Sequence, residues 1–289
     1  MPEPLYAITP ADQARVFAGD VRVRVLRSGW FRPDAGGFFG VVPKALWSRF
    51  TEADDRGRLL LRLNLLLIES AGKRVLVETG TGVRMDAKNR DIKGVEGGDP
   101  VQALRAVGVD PATIDFVVLT HLHYDHAGGM VDAEGRPVFP NARYVVQRDE
   151  AEAAHGDELR VQGVMEVEQL DAVRAAGQLA EVHGEVELVA GVRAIRTGGH
   201  TRGSQAVLIG SAGTGERAIF WGDLIPTRWQ IPVRWTSAYD DYPVEAVEMR
   251  NRLVRQAAAE SWWCYFTHDP GNLPIRIEAT EKGGFRAAD

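Results

Sequence analysis

The sequence predicts an α+β fold in which two β-sheets pack face to face and helices cover their outer surfaces. The order of the predicted elements supports this prediction. Apolar runs of strand length, a helical stretch and further strands follow one another in that order twice along the chain. Such elements bury their apolar faces by stacking in layers. No linker rich in proline, glycine or serine interrupts the 289 residues, so we expect one domain, residues 1–289.

Strands and one capped helix are predicted in the first half of the chain. Residues 21–29 alternate apolar and basic side chains with period two, which is typical of a half-exposed strand near a sheet edge. Asp99 and Pro100 begin a helix that ends near residue 107, because aspartate caps a helix and proline fits its first turn. Further strands are expected over residues 59–70, 74–78, 116–119 and 143–147.

The second half is expected to begin with a helical cover and then to return to strands. Residues 156–184 are charged and alanine-rich with helical spacing of their apolar side chains, so they predict helices that cover a site. Pro243 begins a helix that extends to residue 260 with apolar side chains on or near one face. Strands are expected over residues 186–189, 192–196, 205–209, 218–221, 262–266 and 275–278.

Composition excludes several classes of function. The net charge is −6 and the basic residues do not cluster, which argues against nucleic acid or an anionic membrane as partner. The single cysteine, Cys264, lies in an apolar run, so we expect a small buried hydrophobe and no disulfide within the chain. The first six residues lack the segments of a signal peptide, and residues 59–68 are too short to span a bilayer. We therefore expect a cytoplasmic protein.

Residues 121–126 carry the strongest chemical signal. His121, His123, Asp125 and His126 stand within six residues, directly after a buried strand. Neutral imidazole and carboxylate are ligands that Zn²⁺, Fe²⁺ and Mn²⁺ accept. His121 and His123 can converge on one ion, which leaves Asp125 and His126 to face a second. The sequence therefore predicts a dinuclear metal site.

Three later residues that can bind a metal ion also stand at the end of a predicted strand. His200, Asp223 and His268 each follow an apolar run of strand length. A glycine precedes His200 and Asp223, and glycine lets the backbone approach an ion closely. Ligands offered at the ends of several strands fit a site on the rim of stacked sheets.

As an ordered set, these motifs resemble those of the metallo-β-lactamase-fold hydrolases. HLHYDH at 121–126 matches the His-x-His-x-Asp-His motif of that family, and GHT at 199–201, GD at 222–223 and THD at 267–269 match its later ligand motifs in order. The resemblance covers residues 65–270. It implies a four-layer αββα sandwich with the metal site at one edge of the two sheets.

The resemblance also implies a ligand set and a pair of divalent ions, most often zinc, with iron or manganese as alternatives. Carried over by position, the ligands of the first ion are His121, His123 and His200, those of the second are Asp125, His126 and His268, and Asp223 bridges the two. Glu78 stands where the family usually has aspartate. We expect Glu78 to hold a ligand loop rather than to bind an ion.

A metal-dependent hydrolase is the function that follows from these ligands. Such a site supplies an activated water and polarises a carbonyl oxygen, and Asp125 could orient that water and accept its proton. The pattern is most similar to the lactonase-like branch that includes N-acyl homoserine lactonases, so a small lactone or other carboxylic ester is the expected substrate. A thioesterase of the glyoxalase II kind is the alternative, followed by a phosphoester hydrolase. Two hypotheses from other functional classes compete with a hydrolase: redox chemistry at two irons, and a non-catalytic metal-binding scaffold.

Substrate contacts are the least determined part of the prediction. Enzymes of that branch typically place a tyrosine a few residues after the bridging aspartate, and this chain has residues 224–226, Leu-Ile-Pro, at those positions. Tyr239 or Tyr124 could polarise the substrate instead. Aromatic stretches at 30–47 and 229–239 either pack in the core or form the wall of a pocket. Candidate substrate contacts are Phe38, Phe39, Trp229, Trp235 and Arg202. The oligomeric state stays open, with a homodimer as one option.

Overall fold

The structure, a computed structural model, describes residues 14–17, 20–210 and 215–288. The first six residues, on which the expectation of no signal peptide depends, lie outside the described residues. In the described part the helices are α1 (Ala35–Phe39), α2 (Lys44–Trp47), α3 (Ala87–Lys93), α4 (Pro100–Ala106), α5 (Tyr124–Ala127), α6 (Arg148–Ala154), α7 (Val167–Ala175) and α8 (Pro243–Ala259).

The first half of the chain forms one mixed sheet. Its strands are β1 (Arg15–Phe17), β2 (Val21–Phe31), β3 (Leu61–Ser70), β4 (Lys73–Val77), β5 (Glu96–Gly97), β6 (Phe116–Val118), β7 (Arg143–Gln147) and β8 (Leu179–Val182). They lie in the order β1-β2-β3-β4-β6-β7-β8, and β5 pairs with β2. Strands β4, β6, β7 and β8 are parallel, whereas β1 to β4 pair antiparallel.

The second half forms the other mixed sheet. Its strands are β9 (Glu185–Val189), β10 (Val192–Arg196), β11 (Gln205–Ile209), β12 (Ala218–Phe220), β13 (Trp263–Tyr265), β14 (Ile275–Ala279) and β15 (Phe285–Ala287). The order across the sheet is β15-β14-β13-β12-β11-β10-β9. Only β12 and β13 pair parallel among these described strands, and the other neighbours are antiparallel.

The two sheets face each other across one apolar core, as the sequence predicts. Val118 and Ile68 from the first sheet pack in the same buried cluster as Val207 and Ile219 from the second. Helices α4 and α7 cover the outer face of the first sheet in a second cluster. Helix α8 packs against the second sheet through the buried side chain of Leu253 and its apolar neighbours. The predicted α+β fold, a four-layer αββα sandwich, is confirmed.

Two local predictions differ from the structure. The stretch 156–184 is helical only in α7, because Gly177 adopts a positive φ of 72° directly after that helix and the chain then pairs with β7 as strand β8. The helical structure expected in this stretch is therefore confined to α7. The strand predicted at 21–29 extends to Phe31 and lies between β1 and β3, so most of its side chains are buried rather than half-exposed.

Among the described residues, no helix combines the length and the apolar character that a bilayer crossing requires. The cytoplasmic location and the homodimer stay predictions.

Candidate metal centre

The strands that precede the predicted ligands end at the same edge of the sandwich. His121, His200, Asp223 and His268 follow strands β6, β10, β12 and β13. In the second sheet β12 and β13 are parallel, and β10 runs in the same direction because β11 is antiparallel to both of its neighbours. Their carboxyl ends therefore lie together. The short helix α5 continues the loop after β6 and carries Asp125 and His126.

The first group of ligand atoms consists of three imidazole nitrogens. Nδ1 of His123 lies 3.0 Å from Nε2 of His121 and 3.2 Å from Nε2 of His200. Around a tetrahedral zinc ion with Zn–N bonds of about 2.0 Å, neighbouring nitrogens stand roughly 3.3 Å apart. The spacing of these nitrogens therefore fits one ion bound among them.

The second group contains two imidazoles and one carboxylate. Nε2 of His126 and Nε2 of His268 are 3.2 Å apart. Oδ2 of Asp125 lies 3.4 Å from Nε2 of His268 and 3.7 Å from Nε2 of His126. All three side chains are buried, so the inward atoms are shielded from bulk water.

Asp223 stands between the two groups. Its Oδ2 lies 3.6 Å from Nε2 of His200 in the first group and 3.5 Å from Nε2 of His126 in the second. Its Oδ1 is buried without a hydrogen-bond partner, 3.3 Å from Nε2 of His268. A buried carboxylate oxygen without a donor is costly unless a cation compensates it. Asp223 therefore lies within 3.6 Å of imidazole nitrogens of both groups.

Hydrogen bonds on the outer side of the imidazoles direct lone pairs inward. The Nδ1 atoms of His126, His200 and His268 lie 3.1, 3.0 and 3.0 Å from Oε1 of Glu78, Oδ1 of Asp240 and the carbonyl oxygen of Arg62. An Nδ1 atom that donates to such an acceptor leaves the Nε2 atom of a neutral ring free to bind a cation. At 3.2 Å the Nε2 atoms of His126 and His268 face each other, an arrangement that requires a proton or a metal ion between them. The donor set thus fits metal ions.

The electrostatics of the cluster agree with this fit. Burial, reinforced by the neighbouring imidazoles, holds the pKa of His121 and His123 well below the ordinary value, so both rings are neutral donors. Burial also opposes protonation of His126, yet the surrounding carboxylates, Asp223 foremost, raise its pKa well above the ordinary value. This excess of negative charge favours a bound cation in the cluster.

Glu78 holds two parts of the ligand loop. It is fully buried, accepts a hydrogen bond from the Thr120 hydroxyl and one from the Thr120 N–H at 3.2 Å, and faces Nδ1 of His126. Its backbone lies in the left-handed region at φ 69°, a conformation that is uncommon for residues other than glycine. The surrounding hydrogen bonds maintain this conformation. The structure therefore places Glu78 beside the ligands and not among them.

A cavity of about 1180 Å³ opens above the cluster. The edges of the ligand groups form its floor, and both candidate tyrosines, Tyr124 and Tyr239, line it. Its apolar wall includes Phe31, Phe38, Met85, Ile92, Val164 and Met165. The helical cover expected from 156–184 is therefore partly a set of turns that reaches the cavity through residues 163–169.

Only one of the predicted pocket aromatics lines this cavity. Phe38 does, whereas Phe39, Trp229 and Trp235 lie outside the lining. All four belong to one apolar cluster, in which the Phe39 ring stacks on Trp47 at 5.0 Å. Arg202 is exposed and also lies outside the lining. The two aromatic stretches thus have both roles that the sequence left open: Phe39, Trp229 and Trp235 pack in the core, whereas Phe31, Phe38 and Tyr239 line the cavity. The wall residues Met85 and Ile92 stand in a charged stretch that gives no pocket signal.

Comparison with known proteins identifies the family. The model of the metallo-beta-lactamase superfamily matches residues 61–268, which is most of the chain. The chain belongs to the metallo-beta-lactamase superfamily. Among solved structures, a probable metal-dependent hydrolase from Staphylococcus aureus is 30% identical, with a TM-score of 0.83 over 89% of this chain and 92% of that one. The dizinc quorum-quenching lactonase AidC, solved with a product, shares the fold at a TM-score of 0.76 and 21% identity, over 96% of this chain and 98% of that one.

Curated relatives match a shorter part of this superfamily member. An N-acyl homoserine lactonase from a Bacillus species is 33% identical over 109 residues, which is 38% of this chain and 38% of the relative. The chain therefore matches well under half the length of that relative. The lactonase AttM from Agrobacterium fabrum is 48% identical over 54 residues, or 19% of this chain and 18% of the relative.

Proposed function

We propose that this superfamily member is a metal-dependent hydrolase that opens lactones or other carboxylic esters. The observation that carries the proposal is the pair of ligand groups joined by Asp223 on the floor of a large cavity. The names of the relatives support the substrate class, because several are N-acyl homoserine lactonases and one solved neighbour is a dizinc lactonase.

The ligand atoms divide into two proposed ion sites. The first consists of His121, His123 and His200, the second of Asp125, His126 and His268, with Asp223 shared between them. When bound there, two divalent ions, which we propose to be zinc, supply an activated water and a Lewis acid for the carbonyl oxygen.

Asp125 is the proposed acceptor for the proton of the attacking water. Its carboxylate lines the cavity floor, and its side chain is 10% exposed, so one edge reaches the space that a substrate enters. A general base must lie within hydrogen-bond reach of the proton that it removes. Its place on the cavity floor, beside the proposed ions, supports this role for Asp125.

Tyr239 is the proposed donor to the substrate. It lines the same cavity, and burial, together with Asp34 and Asp125, raises the pKa of its phenol to about 12. The hydroxyl is therefore protonated at neutral pH and can donate a hydrogen bond to the carbonyl or to the leaving alkoxide. Phe31, Phe38 and Met165 provide an apolar wall for the rest of the substrate.

A substrate panel tests the proposal. Zinc-loaded protein is assayed with lactones, linear esters, glutathione thioesters and aryl phosphodiesters at pH 7.5. We expect the lactones or esters to have the highest kcat/KM, and we expect chelation or His123→Ala to abolish turnover. His183→Ala is the matched control, because this histidine is 69% exposed and lies outside the cavity lining. Highest activity on a thioester or phosphodiester would overturn the substrate class, and zinc-loaded protein inert to the whole panel would overturn the hydrolase.

A further inference from the structure

Glu150 is a buried carboxylate outside the proposed ligand set. It lies in α6, and its side chain is inaccessible to solvent. One oxygen, Oε1, accepts the Leu122 N–H at 3.0 Å. The other, Oε2, accepts the Thr201 hydroxyl at 2.7 Å and the Gly203 N–H at 2.9 Å. A buried carboxylate is costly unless its oxygens are hydrogen-bonded, and here both are.

These donors belong to two different ligand loops. Leu122 stands between His121 and His123, and Thr201 directly follows His200. The three imidazoles of the first group are therefore tied to a single carboxylate, one loop on each oxygen. The other group takes its imidazoles from His126 and His268, which are held by different acceptors.

The packing of the second loop adds to this restraint. A Cβ atom at position 203 would collide with the backbone nitrogen of Glu150, so only glycine lets the loop lie this close to the start of α6. The loop after His200 is thus fixed against α6 by backbone packing and by two hydrogen bonds to the same oxygen.

We propose that Glu150 is a positioning residue that sets the distance between the two loops of the three-imidazole group and thereby the affinity of that group for its ion. The inference deepens the proposed function, because it requires that the group binds a metal ion. Partners that orient metal ligands typically change metal affinity about 10–100-fold when they are lost. Glu150 differs from a general stabilising residue in one respect: it holds both loops of the three-imidazole group but only one loop of the other group, so its loss should weaken the three-imidazole group more.

The Glu150→Gln substitution removes one acceptor and the charge while it keeps the volume of the side chain. Glutamine has the same shape, but it offers one acceptor oxygen and one NH₂ group where the carboxylate offers two acceptor oxygens. Whichever way the amide is oriented, a backbone N–H of one loop, from Leu122 or Gly203, loses its acceptor. Glu152→Gln is the matched control, because Glu152 is an exposed residue of the same helix.

The test measures zinc retention by the two groups separately. His268→Ala leaves the three-imidazole group intact, and His123→Ala leaves the other group intact. In each background, zinc-loaded full-length protein with or without Glu150→Gln is dialysed against graded chelator, and bound zinc per chain is determined. We expect Glu150→Gln to weaken retention about 10–100-fold in the His268→Ala background and less than 3-fold in the His123→Ala background, and Glu152→Gln to change neither.

Two outcomes would overturn the proposal: unchanged retention by the three-imidazole group, or equal weakening of both groups. Thr201→Val, which removes one donor and no charge, gives a second measurement if Glu150→Gln folds poorly, and we expect a smaller loss at the same group. Failure of the proposed function can be distinguished from failure of the role proposed for Glu150. Protein that binds zinc in both groups and hydrolyses nothing refutes the hydrolase and leaves the role of Glu150 intact, whereas protein that binds no zinc refutes both.

Discussion

Nη2 of Arg250 lies 3.2 Å from Oδ2 of Asp240, and neither side chain is accessible to solvent. The other oxygen of Asp240 faces Nδ1 of His200 at 3.0 Å. The same guanidinium donates to the carbonyl oxygen of Leu224, next to Asp223 in the chain. The guanidinium of Arg250, in the middle of α8, therefore contacts groups next to two proposed metal ligands, His200 and Asp223.

Loss of this cation is expected to cost stability. Arg250→Met leaves the Asp240 carboxylate buried beside His200 without its cation, and breaking a buried ion pair in this way typically costs about 3–5 kcal/mol. Urea unfolding of the metal-free protein measures the change. Arg255→Met, at an exposed position of the same helix, should change the free energy of unfolding by less than about 0.5 kcal/mol. Equal effects of the two substitutions would contradict the expectation.

Shortening Glu78 should weaken metal binding. The Glu78 carboxylate reaches both Thr120 and Nδ1 of His126, and aspartate is shorter by one methylene, so it cannot hold both from the same backbone position. Glu78→Asp should lower the affinity for the ion bound by His126 about 10–100-fold. Chelator competition on zinc-loaded protein measures the affinity.

A matched control distinguishes this effect from a general response to a shorter acid. Glu69→Asp shortens a partly exposed glutamate on β3 whose carboxylate pairs with Arg74 at 3.0 Å. Zinc affinity of this variant should equal that of the wild type. Wild-type affinity in Glu78→Asp as well would show that the extra methylene has no role in the site.

The ligand cluster is predictable from sequence because its signals are local. Four of the seven side chains fall within residues 121–126, and His200, Asp223 and His268 each follow an apolar strand, so the chemistry and the strand ends can be read together. These strands occur in two successive sets along the chain, and that order predicts two sheets packed face to face. The order of strands and motifs along the sequence therefore predicts both the fold and the position of the candidate site.

The residues that support the ligands could not be predicted in this way. Asp240 lies in a loop, while Glu150 and Arg250 lie on helices, and each acts only through contacts with distant parts of the chain. The aromatic side chains Phe39 and Trp229 are a different case. An aromatic residue beside glycines fits a pocket wall and a core equally well, and only the tertiary packing shows that these two lie in a core cluster. Sequence patterns therefore predict the proposed ligands but not the residues that hold them in place.

The buried thiol of Cys264 should be unreactive in the folded protein. Burial raises its pKa from 9.0 to about 12, so at pH 8 the folded state contains about 1000-fold less thiolate than the unfolded state. Reaction with a disulfide reagent should be correspondingly slow in native protein and fast in denaturant. Fast labelling of native protein would contradict the buried position.

The same shift predicts a dependence of stability on pH. Because the folded pKa is raised, the contribution of this thiol is fully present below pH 9.0 and is lost as the pH rises toward about 12. The free energy of unfolding of the wild type should therefore fall relative to that of Cys264→Ala, by about 1.5 kcal/mol between pH 9 and 10.5. Parallel curves for the two proteins would show that the pKa is not raised.

Removing the phenol of Tyr239 should reduce the rate of ester hydrolysis. Its hydroxyl is protonated up to a pKa of about 12, so across pH 6–10 it can donate a hydrogen bond to negative charge that develops on the substrate. Loss of one such donor typically lowers kcat about 100-fold or more. Tyr239→Phe should show this loss, and its ratio to wild type should stay constant from pH 6 to pH 10, since the phenol does not ionise there.

Tyr242 provides the control for this prediction. Its hydroxyl faces Glu158 at 2.9 Å, and the residue lies outside the cavity lining although it is only three positions from Tyr239. Tyr242→Phe should therefore retain kcat within about 2-fold, because no group that faces the substrate changes. If Tyr239→Phe were as active as Tyr242→Phe, the donor to the substrate would have to be another group on the cavity wall, and Tyr124, which borders the same floor, would be the next to replace.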